Sequence, residues 1–154
     1  MSDVTVLVIE DGHEYTDSLS RFLAQGFTWV RAGSGPEGLA HLGEGLPADV
    51  IFLDMRFDRV PDGALLGDVV AAADRFNGDP TRARQFLQDH QGTYVLAALR
   101  EAGHGTPVLL SYDFDGEPRR WARLQQRYAP VDFLPDNASP ADIARRLRAL
   151  AAGA

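Results

Sequence analysis

The chain contains 154 residues with a formal net charge of −7 at pH 7, and it contains no cysteine. This length suits one domain with a substantial core, and the missing cysteine excludes disulfides, thiol nucleophiles and cysteine-based zinc sites. All fifteen basic residues are arginine, so no mechanism that needs a lysine amine can operate. The acidic balance argues against nucleic acid as a partner. Without a signal-like segment or a long apolar run, we expect a cytoplasmic protein that does not contact a membrane.

Two apolar segments in the first third of the chain each end on acidic residues. Residues 4–9 precede Glu10 and Asp11, and residues 48–53 precede Asp54. Such runs are typical of strands buried in a parallel sheet, whose carboxyl ends share one edge. We therefore expect the three carboxylates to lie close together, where a hard divalent cation, Mg²⁺, would offset their repulsion. The alternative is that they are polar strand ends that face water.

Helix and strand patterns alternate around these two segments. The first strand is followed by a predicted helix and then by a second strand at residues 27–31. The apolar positions of that helix are Tyr15, Leu19, Phe22 and Leu23. Ser34 and Glu37 form a capping box that begins a second helix, which ends at Gly43 or Gly45. The run that ends at Asp54 is the third strand.

The segment from residue 55 to residue 91 is much longer than an ordinary connection of about 2–6 residues. Helical spacing recurs at a group of apolar positions, namely Leu65, Leu66, Val69, Val70 and Ala73. Asp79 followed by Pro80 predicts the start of another helix, with Ala83, Phe86 and Leu87 facing inward. We therefore predict an inserted helical hairpin or lid at about residues 56–91, packed near Asp54.

Alternation resumes after the insertion. We predict a helix over residues 93–102, a fourth strand at 108–111, a helix over 117–128, a fifth strand at 131–134 and a last helix that follows Ser139. Five strands alternating with five helices predict a doubly wound parallel sheet covered by helices on both faces. We treat residues 1–154 as one domain with the inserted segment.

The order and spacing of these features resemble the receiver domain of two-component response regulators. The resemblance depends on the acidic pair at 10 and 11, on "ADVIFLD" before and including Asp54, on "GTYVLAALREAGHGTPVLL", and on "VDFLPDNASPADIARRLRAL". It covers nearly the whole chain apart from the insertion. It implies a flavodoxin-like fold with strand order 2-1-3-4-5 and a site at the strand ends.

The resemblance also implies a role for individual residues. Asp54 is expected to be the phosphoacceptor, and the Mg²⁺ ligands are expected to be Glu10, Asp11, Asp54 and the backbone carbonyl of Arg56. Ser111 matches the hydroxyl that reaches the phosphoryl group, and Phe133 matches the aromatic residue that moves with it. The alternative for these two is a strand-end hydroxyl and a core aromatic residue.

Three departures from the family pattern bear on activity. Asp136 occupies the position of the family's lysine, so a cation is replaced by an anion. Tyr112 follows Ser111 where the family prefers a small residue. The insertion begins directly after the phosphoacceptor strand, and it could cover the site, bind a partner or supply Arg56, Arg59 or Arg75 as a substitute cation.

Three functions remain open from the sequence. The first is a single-domain response regulator that receives phosphate from a histidine kinase or phosphotransfer protein and acts on a downstream protein, with no enzymatic activity beyond its own phosphorylation. The second is an adaptor that binds partners without phosphorylation. The third is a metal-dependent phosphatase or other hydrolase. In receivers, the helices after strands four and five are the usual output surface, so a homodimer through them is also considered.

Overall fold

The computed structural model describes residues 3–153, and its centre is a five-stranded parallel sheet in the order 2-1-3-4-5. The strands are β1 (Val4–Ile9), β2 (Phe27–Ala32), β3 (Val50–Asp54), β4 (Val108–Ser111) and β5 (Val131–Phe133). The predicted flavodoxin-like architecture is thereby confirmed. Since β1 and β3 are neighbours, the chain segments that follow them begin side by side.

Seven α-helices lie within the described residues, as the predicted five helices and two inserted ones require. They are α1 (Glu14–Phe22), α2 (Gly35–Gly43), α3 (Val69–Ala73), α4 (Pro80–Asp89), α5 (Gln91–Glu101), α6 (Pro118–Tyr128) and α7 (Pro140–Gly153). The predicted caps form at Ser34, at Asp79 and at Ser139, whose hydroxyl accepts from the Asp142 N–H at 3.1 Å. The Ser34 hydroxyl accepts a hydrogen bond from the Glu37 N–H at 3.2 Å, and the Asp79 carboxylate accepts from the backbone of Thr81 and Arg82. None of these helices is both long and apolar enough to cross a membrane.

The alternation of side chains along the central strands divides the core between the two faces of the sheet. Leu7, Leu53 and their neighbours on one face pack with α5 and α6, and Val8 and Phe52 on the other pack with α1 and α7. These strand residues are fully buried. Because helices cover both faces of the sheet, the central strands must be apolar at consecutive positions.

The insertion is a folded part of the domain and has a small core of its own. Ala72 and Ala73 of α3 pack with Ala83 and Leu87 of α4. The side-chain amide of Gln91, which is only 1% exposed, joins the segment to α5. Its oxygen accepts from the Leu66 N–H at 2.7 Å, and its NH₂ donates to the Leu66 carbonyl at 2.9 Å.

Two side chains that were predicted to face inward are exposed instead. Val70 is 77% exposed, because α3 is a single turn-and-a-half that contacts α4 through its alanines. Leu65 and Leu66 precede this helix, and they pack on the small core of the insertion and on the main core, respectively. Phe22 is 65% exposed, because α1 ends there and it is Leu23, outside the helix, that packs on the core.

Gly92 allows the first turn of α5 to lie against the end of β3. A Cβ atom at this position would lie 2.6 Å from the Asp54 carbonyl oxygen and 2.9 Å from the Met55 Cα. Both are backbone atoms, so relief would require the helix to move away from the strand. The Gly92 N–H also donates to the Met55 carbonyl at 2.9 Å.

We predict that Gly92→Ala lowers the free energy of unfolding by about 1–3 kcal/mol, because a methyl group is forced into a packed contact. Urea unfolding followed by circular dichroism measures the change. Gly43→Ala is the matched control, since nothing lies within 4 Å of its Cβ position at the end of α2. Equal stability of Gly92→Ala and wild type would show that α5 does not press on the end of β3.

Candidate functional site

The candidate site lies at the carboxyl edge of the sheet, where Asp54 ends β3. The pairing of β3 with β4 places Asp54 beside Ser111, and the pairing of β1 with β3 places Ile9 beside Leu53. A pocket of about 460 Å³ opens in front of these strand ends. Its lining residues come from the strand ends and from the insertion: Asp54, Met55, Arg56, Asp89, His90, Ser111 and Tyr112.

Asp54 lies in an environment that disfavours its charge. Burial raises the pKa of its carboxyl from 3.8 to about 6, and the negative charges of Asp11 and Glu10 act in the same direction. The Met55 N–H donates to Asp54 Oδ1 at 2.8 Å and opposes the rise in part. At neutral pH the Asp54 carboxyl is mostly ionised. A cation placed beside it would strongly stabilise this ionised form.

Glu10 is buried, with 1% of its surface exposed, and both of its carboxylate oxygens bind the start of α1. Oε1 accepts from the Tyr15 N–H at 3.1 Å, and Oε2 accepts from the Thr16 N–H and hydroxyl at 2.7 Å each. The N-cap residue His13 provides no side-chain cap, so Glu10 satisfies backbone donors of this helix. Sequence reasoning missed this role, because the cap precedes the helix by four residues.

Asp11 contacts the insertion. Its Oδ2 accepts from the Arg59 backbone N–H at 2.8 Å, and the Arg59 guanidinium pairs with Glu14 at 2.7 Å. The first residues of the insertion therefore run across the acidic edge toward α1. This contact uses one oxygen of a residue that was predicted to bind Mg²⁺.

Mg²⁺ binding at this edge of the sheet stays a prediction. Among residues 3–153, no group of three His, Cys, Asp or Glu side chains is placed to hold a metal ion. Asp11 and Asp54 each keep one oxygen without a hydrogen-bond partner in the described part of the chain. Two carboxylates with water and a backbone carbonyl are ligands that Mg²⁺ accepts. Ligation by the Arg56 carbonyl and by Glu10 stays a prediction. For Glu10, three of its roughly four acceptor sites already bind α1.

Ser111 is held by a residue of α1. Its hydroxyl hydrogen-bonds to the Tyr15 hydroxyl at 2.6 Å, and the Tyr15 ring packs on Phe52 with ring centres 4.9 Å apart. Next to it, the Tyr112 hydroxyl hydrogen-bonds to the Glu117 carboxylate. Neither partner was predicted, because both contacts join segments that are placed only by the fold.

Phe133 and Asp136 follow at the edge of the sheet nearest α6. Phe133 is half-buried, with its ring centre 4.9 Å from that of Trp121 and 5.6 Å from that of Phe114. Asp136 is exposed, and its N–H donates to Asp113 Oδ2 at 3.0 Å. Asp136 has no ion pair within residues 3–153, and its correspondence to the family's lysine stays a prediction.

The three arginines considered as substitute cations have different surroundings. Arg56 lines the pocket of Asp54, but its Nε pairs with Asp89 of α4 at 3.2 Å. Arg59 is paired with Glu14, and Arg75 lies over the Phe86 ring at 5.0 Å. Arg56 is thus the one of these three that lines the pocket.

Comparisons with known proteins support the fold. No protein-family model matches the sequence, and no curated protein matches it. Among solved structures, the receiver domain of Francisella response regulator 1452 is 18% identical with a TM-score of 0.65, covering 98% of each chain. A CheY-like receiver domain protein from Methanospirillum hungatei is 15% identical with a TM-score of 0.62, covering 99% of this chain and 96% of its own. A Rhodopirellula baltica structure described as adenylate cyclase is 19% identical with a TM-score of 0.66, covering 97% and 88%.

We predict that Asp54→Asn stabilises the protein at neutral pH. The folded state holds the Asp54 proton more tightly than the unfolded state, so stability falls as pH rises from about 4 to about 6. At pH 7.5 the amide should raise the free energy of unfolding by about 1–2 kcal/mol, after allowance for partial exposure of the group. At pH 4 the two proteins should differ little.

Urea unfolding at both pH values in metal-free buffer measures this difference. Asp136→Asn is the matched control, because it removes an exposed carboxylate from the same edge. If Asp54→Asn raised the free energy of unfolding as much at pH 4 as at pH 7.5, ionisation of Asp54 would not be the cause.

Proposed function

We propose that this chain is a single-domain receiver of a phosphorelay, with Asp54 as the phosphoacceptor and output through contact with a downstream protein. The observation that carries the proposal is the position of Asp54. It ends the central strand, at the mouth of a pocket, with a hydroxyl of the neighbouring strand beside it. A histidine kinase or phosphotransfer protein would supply the phosphoryl group.

The chemistry requires only an ionised carboxylate and neutralisation of charge. An Asp54 oxygen forms a bond to phosphorus while the bond from phosphorus to the donor's imidazole nitrogen breaks, and the imidazole leaves. Mg²⁺, when bound, neutralises charge on the transferring group. The raised pKa of Asp54 supports a cation at this site, because a carboxylate in unfavourable surroundings is stabilised most by a neighbouring positive charge.

The adaptor alternative is supported by the surroundings of the switch residues. Ser111 already has a partner in Tyr15, and Tyr112 lines the pocket that a phosphodonor must enter. The exposed Asp136 offers no cation to a phosphoryl group. In this alternative, partners bind the same fold whether or not Asp54 is modified.

The hydrolase alternative has one supporting observation. His90, from the junction of α4 and α5, lines the Asp54 pocket, and burial lowers the pKa of its imidazole. A neutral imidazole near a phosphorylated carboxylate has the chemistry of a general base. Hydrolysis of p-nitrophenyl phosphate with Mg²⁺, lost in His90→Gln, would favour this reading over the receiver.

We predict that beryllofluoride with Mg²⁺ raises the melting temperature of the wild-type protein beyond the effect of Mg²⁺ alone. Beryllofluoride mimics an aspartyl phosphate, so it should stabilise the folded state in proportion to its occupancy. Asp54→Asn should lose the increment, and Glu44→Gln, which removes an exposed carboxylate at the end of α2, serves as the control. The absence of an increment in the wild type at millimolar concentrations would contradict Asp54 as a phosphoacceptor and favour the adaptor alternative.

We further predict that Asp136→Lys strengthens the beryllofluoride response. A charged hydrogen bond contributes roughly 1.5–3 kcal/mol, so its half-saturating concentration should fall by roughly tenfold or more. Glu44→Lys, at an exposed position at the end of α2, controls for the same change of two units in net charge. Equal responses of the two lysine variants would mean that position 136 does not face the bound group.

A further inference from the structure

A groove runs between the insertion, α5 and α6. It adjoins the pocket of Asp54, because His90 lines both, and the Glu117 carboxylate lies on its wall beside the arginines. It consists of two adjoining cavities of about 390 and 410 Å³. Both cavities are lined by Arg75, Thr93, Tyr94, Arg120 and Arg123. Each volume lies within the range of roughly 300–1,000 Å³ that small-molecule sites occupy.

The groove is lined by four arginines from two sides. Arg120, Arg123 and Arg127 occupy positions i, i+3 and i+7 of α6, so they form a row about 10 Å long on one face of that helix. Arg75 reaches the same cavity from the segment between α3 and α4. A ligand in the groove would meet guanidinium groups along its length and from the insertion.

Three of these positive charges are not neutralised by the protein. Arg120 pairs with Glu117 at 3.2 Å. Arg75, Arg123 and Arg127 have no carboxylate within ion-pair distance among residues 3–153. In a chain with a net charge of −7, such a cluster makes a local positive field that favours an anion with more than one charge.

Aromatic rings line the groove beside the arginines. Tyr94 and Tyr128 belong to one cavity, and Tyr94 and Phe86 to the other. Flat rings next to guanidinium groups can stack on a planar ring of a ligand. An acidic peptide would use the charges but not these rings.

We propose that this groove binds a phosphorylated small molecule of nucleotide size, with its phosphates on the α6 arginines and its ring against Tyr94 or Tyr128. A phosphate carries more charge and more oxygens than a carboxylate, so it can bind more than one guanidinium of the row at once. The cavity volume matches such a ligand. This site does not depend on phosphorylation of Asp54, so the two proposals fail independently.

Isothermal titration with ATP, GTP, inorganic pyrophosphate and adenosine tests the proposal, in low-salt buffer with EDTA so that the acidic edge cannot take part through a metal. We expect the nucleotides to bind, pyrophosphate to bind more weakly, and adenosine to bind poorly. The double variant Arg123→Gln/Arg127→Gln should weaken ATP binding by roughly 10- to 100-fold, because two charged hydrogen-bond donors are lost.

The control is Arg21→Gln/Arg119→Gln, which removes the same charge at two exposed positions outside the groove. It should leave ATP binding nearly unchanged. If both double variants lost the same amount of ATP affinity, the binding would be nonspecific electrostatic attraction, and the proposal would be overturned. So would absence of binding by all four probes, or binding of polyglutamate in place of nucleotides.

Discussion

The buried carboxylate of Glu10 fixes the first helix to the first strand, and the geometry of the candidate site depends on it. Its three hydrogen bonds fix the position and the rotation of the first turn of α1. Tyr15, in the first turn of that helix, consequently reaches across to Ser111 of β4. A buried carboxylate is stable only with such donors, so the acid, the helix and the hydroxyl form one unit.

Arg31 of β2 also binds the segment between β1 and α1. The Arg31 guanidinium donates to the carbonyls of Gly12 and Asp11, at 2.6 and 3.2 Å. Arg59 of the insertion also binds this region: its backbone N–H donates to Asp11, and its guanidinium pairs with Glu14. An arginine from β2 and one from the insertion thus position the acidic loop, which helps to explain how acidic side chains remain close together without lysine anywhere in the sequence.

Sequence patterns were sufficient for the strands and most helix boundaries, because these follow from local periodicity and capping, whereas the sheet order was predicted from the resemblance to receiver domains. Ser34 and Asp79 are caps that act within three residues, and both form. The contacts of Glu10 with α1, of Tyr15 with Ser111 and of Gln91 with Leu66 could not be predicted in the same way. They join segments 5 to 96 residues apart, and residue type alone does not select among many possible partners. Val70 was misplaced for a related reason: a helix of five residues has no settled inward face until its neighbour is known.

The insertion changes what the acidic edge can do. Its backbone binds one oxygen of Asp11, and its end brings Asp89 and His90 to the pocket of Asp54. Arg56 points to Asp89 rather than being left free for an incoming anion.

A phosphoryl group on Asp54 would therefore enter a site in which the nearby cation is already paired and the hydroxyl of Ser111 is already bonded to Tyr15. A ligand shifts a conformational equilibrium only through its differential contacts with the two states. Any switch in this protein must then exchange these contacts for new ones, and the net gain is smaller than the phosphoryl group's contacts alone suggest.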